Sequence, residues 1–177
     1  MPDNGLAALA GCLKAAGHQP KILDYGTVST AARLFPGRLT RMVRPLARAL
    51  FQENRDLSWH EKLRFLWAGT ELQKHQQRQI SVIAREVADK ADDYRADIVG
   101  LKLWNGDGYT GSISIARSVR SLVPDAVILG GGPHVDYFGE HILENTEAFD
   151  AVLAGEGERA LPEIADAVSE EQDWHDV

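Results

Sequence analysis

Asp97–Trp104 (DIVGLKLW), Ala126–Leu129 (AVIL) and Asp150–Ala154 (DAVLA) are three short apolar runs, each leading into a loop that carries glycine. The first is followed by Asn105-Gly106-Asp107-Gly108, the second by Gly130-Gly131-Gly132-Pro133-His134, and the third by Gly155-Glu156-Gly157-Glu158. Between them, Thr110–Val123 (closed by Pro124) and Glu140–Asn145 read as helices. A third helix follows over Glu158–Val168, with Leu161, Ile164, Ala165 and Val168 on one side. Short strands alternating with such helices predict βαβ units and a parallel sheet. Parallel strands share one carboxyl edge, so all three loops are expected on one rim, where open α/β sheets take their ligands.

A glycine at that rim can turn the chain into the next helix, or its missing Cβ can let a large flat ligand approach the backbone. Gly106 and Gly108 admit both readings. The run Gly130–Gly132 predicts ligand contact, because one turn takes one or two glycines rather than three. No Walker lysine follows any of these loops.

Working outward, Leu6, Leu9, Leu13 and Ala16 place an apolar stripe on a helix over residues 5–16, with Gly17 as its left-handed stop. Pro20–Asp24 (PKILD) reads as a short strand. Residues 28–75 are rich in Arg, Leu, Ala and Trp, are broken by Pro36 and Pro45, and predict two or three short helices, with Leu63, Leu66 and Trp67 on one face. They form a helical insertion in a single domain spanning 1–177. A longer helix over 71–94 lines Ile80, Ala84, Val87 and Ala91 along one side.

Cys12 is the only cysteine in the 177 residues, which excludes an internal disulfide and any cluster that needs three thiolates from this chain. No apolar run approaches the roughly 18 residues of a membrane span, and no signal-like start is visible, so a cytoplasmic location is expected. The net charge is −7, yet Arg33 to Arg64 holds eight basic residues against three acidic ones. Without interleaved aromatics this stripe predicts a solvated face, or one that docks on an acidic neighbouring domain, rather than a nucleic-acid surface.

The ordered set DIVGLKLWNGDGYTGSISIAR, PDAVILGGGPHVDYFGE and FDAVLAGEGE resembles the N-terminal cobalamin-binding domain of cobalamin-dependent radical S-adenosylmethionine enzymes. The leading GLAALAGCLKAAGHQPKILD is similar to that family's first helix and second strand. The resemblance implies a flavodoxin-like or Rossmann-like parallel sheet flanked by helices, with the corrin ring across the strand ends and its nucleotide tail between sheet and helix. Carried over residue by residue, the cofactor-facing candidates are Leu103, Trp104, Asn105, Gly106 and Asp107 after one strand. Gly131, Gly132, Pro133 and His134 follow the next, and Gly155, Glu156 and Gly157 the last. Trp104 reads either as an aromatic face beneath the ring or as a half-buried core residue.

Four features depart from the family. The Asp-x-His-x-x-Gly motif, whose histidine would ligate cobalt, is absent; Asp173-Trp174-His175 has only its first half, at the wrong end of the chain, and His134 is the alternative ligand. Lys102-Leu103-Trp104 stands where related domains carry Ser-x-Leu. No Cys-x-x-x-Cys-x-x-Cys occurs, so the iron–sulfur cluster and S-adenosylmethionine would belong to another domain, in cis or in trans. The family's first strand would precede residue 5, so either the chain is a fragment or another segment or subunit fills that slot.

His60, His75 and His141 lack partners at metal-ligand spacing and read as solvated or capping residues. Glu156 and Glu158 flank a helix start and read as dipole partners rather than an acid–base pair. Cys12 reads as a core filler, and Ser112 and Ser114 lack an adjacent histidine. The expected function is a cobalamin-binding module, not catalytic alone, that serves a methyltransferase-type radical enzyme. The alternative is a ligand-free docking or substrate-gating domain of the same fold. No nucleic-acid or membrane partner is expected.

Overall fold

A computed structural model describes residues 4–175, with the Asp107 side chain outside the description. The chain divides into two compact units, residues 1–24 with 83–177, and residues 25–82.

The first unit holds the sheet. Strands β1 (Ile98–Lys102), β2 (Val127–Gly131) and β3 (Ala151–Leu153) lie in the order β1-β2-β3, and both pairings are parallel. This is a Rossmann-like α/β layer, as the alternating pattern predicts. Register places Ile98 beside Val127, Gly100 beside Leu129, and Leu129 beside Ala151. Side chains alternate across a strand, so these residues share one face with Leu153. Helices α1 (Asn4–Ala15) and α7 (Gly157–Ser169) cover that face: Leu129, Leu161 and Ile164 are buried there, with Leu9, Leu13, Val168 and Trp174 packed against them. The opposite face receives α6 (Pro133–Asn145), whose Gly139 comes close to Val152, while α5 (Asp107–Leu122) packs on β1.

Local signals account for the ends of these elements. Gly17 has φ +98°, and across it the His18 N–H donates to the Leu13 carbonyl at 3.0 Å, closing α1 as its position predicts. Pro133 occupies the first turn of α6, where its missing N–H costs nothing. That helix therefore begins well before Glu140, and its kink falls at Phe138, whose φ of −137° is not helical.

Pro20–Asp24 is not a strand. In a flavodoxin-like order the second strand pairs only with the first, and here β1 forms the sheet's edge among the described residues. The segment is instead held beside the end of a helix. Tyr94 Oη donates to the Gln19 carbonyl at 2.5 Å, and Lys21 Nζ sits 5.0 Å from the centre of the Tyr94 ring.

The second unit contains α2 (Val28–Leu34), α3 (Gly37–Phe51) and the first part of α4 (Trp59–Tyr94), which continues into the first unit. Where short helices followed by one over 71–94 were predicted, α4 runs unbroken for 36 residues. No proline falls inside it, and Gly69 alone is too weak a breaker. Leu46, Ala49 and Leu57 form this unit's small core, with Leu50 and Phe65 against it. Trp59, Leu63, Leu66 and Trp67 share the outer side of α4 and remain exposed. No helix among the described residues is long and apolar enough to cross a membrane.

Candidate functional site

The three glycine-bearing loops leave the carboxyl ends of β1, β2 and β3, which are neighbours in one parallel sheet. Their glycines serve two different ends. A Cβ on Gly130 would stand 2.9 Å from Leu103 Cδ1 and 3.2 Å from Val152 Cγ1, so that position is kept small by the core beneath it. Gly132 combines φ +101° with a Cβ position 3.2 Å from Lys102 Cγ, and Gly157 would press on Leu9 at 3.3 Å. These three glycines are explained by internal packing and turn geometry. Within the run of three, Gly130 is crowded by Leu103 and Val152, and Gly132 turns the chain into α6 with φ +101°.

Gly106, Gly131 and Gly155 behave differently. Nothing lies within 4 Å of a Cβ on Gly106 or Gly155, and Gly131 would meet only the Leu153 carbonyl, at 3.8 Å. Gly106 (φ +65°) and Gly155 (φ +73°) also need the left-handed region. One open glycine therefore stands at each strand end, and the three together fit a broad flat ligand lying against the backbone.

The side chains around them differ in accessibility. Leu103 is fully buried, and its backbone closes the β1–β2 ladder: its N–H donates to the Gly131 carbonyl at 2.7 Å, and its own carbonyl accepts the His134 N–H at 3.4 Å. Trp104 is 55% exposed, which separates it from the core reading, and Lys102 Nζ stands 5.4 Å from its ring centre. Asn105 and His134 meet across the two loops, Nδ1 lying 2.5 Å from the amide oxygen. The imidazole is flanked by the Tyr109 and Phe138 rings, at 4.5 and 5.0 Å between centres. Asp136 Oδ1 accepts the Gly155 N–H at 2.7 Å and so ties the third loop to α6. Pro133 and Gly157 open α6 and α7; Glu156 caps α7 without a side-chain hydrogen bond and is exposed, and Glu158 follows in its first turn. Asp107 starts α5, but its side chain lies outside the described residues.

Tyr109, Asp136 and Phe138 thus join the site without having been singled out from the sequence. Asp136 in the first turn of a helix reads as a dipole partner, and nothing local marks the long reach to Gly155.

Other histidines have partners of their own. His75 Nε2 bonds the Arg33 carbonyl at 2.7 Å, His141 pairs with Glu144, and His175 with Asp173. Ser112 donates to the Gly108 carbonyl at 3.0 Å as a helix residue does. Cys12 is half-buried on α1. No group of three or more His, Cys, Asp or Glu side chains stands at metal-binding distance among the described residues.

The profile of the family described as the B12 binding domain matches residues 69–165. Among curated proteins, an uncharacterized methyltransferase of Pyrococcus horikoshii is 29% identical over 84 residues, covering 48% of this chain and 18% of that protein. The chain thus spans less than a fifth of that relative's length. No solved structure matches.

Proposed function

Because this chain belongs to the B12-binding domain family, we propose that it holds cobalamin across the carboxyl ends of β1, β2 and β3, as the cofactor module of a radical S-adenosylmethionine enzyme of the methyltransferase type. The observation that carries the reading is the convergence of Gly106, Gly131 and Gly155, each with no atom closer than 3.8 Å to where a Cβ would stand, on one rim of a parallel sheet. Bound there, the cobalt centre would supply methyl-carrying or radical chemistry. The chain's own residues bind and orient. The Asn105 amide nitrogen is free to donate to the corrin's acetamide and propionamide carbonyls while its oxygen holds His134. The exposed Trp104 offers an apolar face to the ring. The iron–sulfur cluster and S-adenosylmethionine belong to a catalytic domain in cis or in trans, since Cys12 is the only thiol here. The cytoplasm is the setting that goes with this chemistry.

A second reading, a docking or gating domain of the same fold without a ligand, is favoured by Pro20–Asp24 not forming a strand, which leaves three strands in the sheet among the described residues. The two separate in one experiment. Protein mixed with hydroxocobalamin and desalted is expected to keep a red chromophore with a shifted absorption band; a colourless eluate defeats the cobalamin reading and favours the docking domain.

A further inference from the structure

His134 is the histidine that the fold brings to the rim, and it is held there in a defined way. It leaves the end of β2 at the start of α6, and its Nδ1 lies 2.5 Å from the Oδ1 of Asn105, which leaves the end of β1. An amide oxygen has no hydrogen to give, so in the neutral ring Nδ1 is the donor and Nε2 keeps its lone pair. No hydrogen bond engages Nε2 among the described residues, while the Tyr109 and Phe138 rings flank the imidazole and limit its rotation. Fixing a ligating imidazole through its far nitrogen is the general way proteins orient a metal ligand and choose its tautomer.

The corrin macrocycle fills the equatorial positions of its cobalt, so the protein needs to contribute one donor, not a cluster. Of the other candidate donors in the first unit, Cys12 lies on α1 and His18 bonds Asp166 at 3.0 Å. We propose that His134 Nε2 is the protein's axial ligand to cobalt, with Asn105 as the positioning residue that presents it. This rests on the cobalamin reading above, and it assigns the ligand to the loop after the second described strand.

The test uses the whole chain and cobalt(II) cobinamide, a corrinoid that lacks the nucleotide base and so cannot supply its own axial nitrogen. Retained colour after desalting is read first, then the electron paramagnetic resonance spectrum. Axial ligation by ordinary imidazole nitrogen splits the cobalt lines into triplets; histidine labelled with the heavy nitrogen isotope is expected to turn them into doublets in the unsubstituted protein. His134→Ala is expected to lose the splitting and to regain it when free imidazole is added. Asn105→Leu is expected to weaken the splitting measured per bound cobalt. Retention without nitrogen splitting, splitting indifferent to the label, or splitting that survives in His134→Ala overturns the histidine assignment and leaves the cobalamin reading standing. A protein that stays colourless with both cobinamide and hydroxocobalamin overturns both.

Discussion

Arg120 and Asp150 form an ion pair at the amino edge of the sheet, the end opposite the glycine rim. Arg120 also donates to the Pro124 and Ala126 carbonyls at 2.8 and 2.7 Å, and the second carboxylate contact of Asp150 is the Ile128 N–H at 2.6 Å. The pair thereby fastens the end of α5 to the first residues of β2 and β3, fixing from below which loops come together above. Both side chains are 34% exposed, so their attraction is screened, but the Ile128 N–H that Asp150 accepts belongs to a buried residue of β2. Asp150→Ala leaves the Ile128 N–H without its carboxylate and is expected to cost about 1–3 kcal/mol. A urea midpoint equal to that of the unsubstituted protein would remove the clamp.

Glu61 predicts a pH dependence confined to the start of α4. Arg55 donates to both of its oxygens, and Ser58 donates from its backbone and its hydroxyl, forming a capping box. Led by the Arg55 hydrogen bonds, and then those of Ser58, the carboxyl falls from its ordinary 4.5 to about 2. A carboxylate depressed by folding stabilises the native state fully above its unfolded value, and the contribution is lost as pH falls through the folded one. The stability difference between the native protein and Glu61→Gln is therefore expected to be level above pH 5 and to vanish between about pH 4.5 and 2. Amide exchange over residues 58–64 reads it locally; a difference that does not change with pH in that window would show that the cap is not ionic.

The glycines show what a sequence discloses and what it hides. Alternating apolar runs and helix-period stripes are local properties, so β1, β2, β3 and α7 were legible within a residue or two, and so was their common carboxyl edge. Whether a glycine at that edge is open or packed depends on a side chain from another strand. Leu103 lies 27 positions from Gly130, and no spacing rule connects them. Asp136 and Gly155 are joined by the same kind of non-local contact. The PKILD segment has strand composition, but a strand exists only by its partner, and the ladder it would join is not formed among the described residues.

That distinction between packed and open glycines can be measured. Gly130→Ala forces its new methyl to within 2.9 Å of Leu103 and is expected to cost about 1–3 kcal/mol through overpacking, with little direct effect on ligand once folded. Gly131→Leu brings its Cβ no closer than 3.8 Å to the Leu153 carbonyl, and is expected to lower the melting temperature less than Gly130→Ala does while abolishing cobalamin retention. The reverse pattern, a stable Gly130→Ala protein beside a Gly131→Leu protein that still turns red, would show that the rim has been assigned the wrong way round.

Trp104 offers the most direct reading of where the ring lies. It follows the fully buried Leu103 and precedes Asn105, yet it stays 55% exposed at the strand end, and its one described electrostatic contact is with the Lys102 ammonium, 5.4 Å from the ring centre. An aromatic this open contributes little to the fold: losing the cation–π contact costs about 0.5–1 kcal/mol at an exposed site, so Trp104→Ala is expected to unfold at nearly the native urea concentration. Against a bound macrocycle the same ring would contribute about 0.5–1.5 kcal/mol beyond simple burial, which corresponds to roughly a two- to tenfold rise in the hydroxocobalamin dissociation constant when it is removed. Trp104→Phe, which keeps an apolar face, is expected to recover most of that affinity. If Trp104→Ala binds as tightly as the native protein, the ring lies away from the end of β1, nearer the loops that follow β2 and β3.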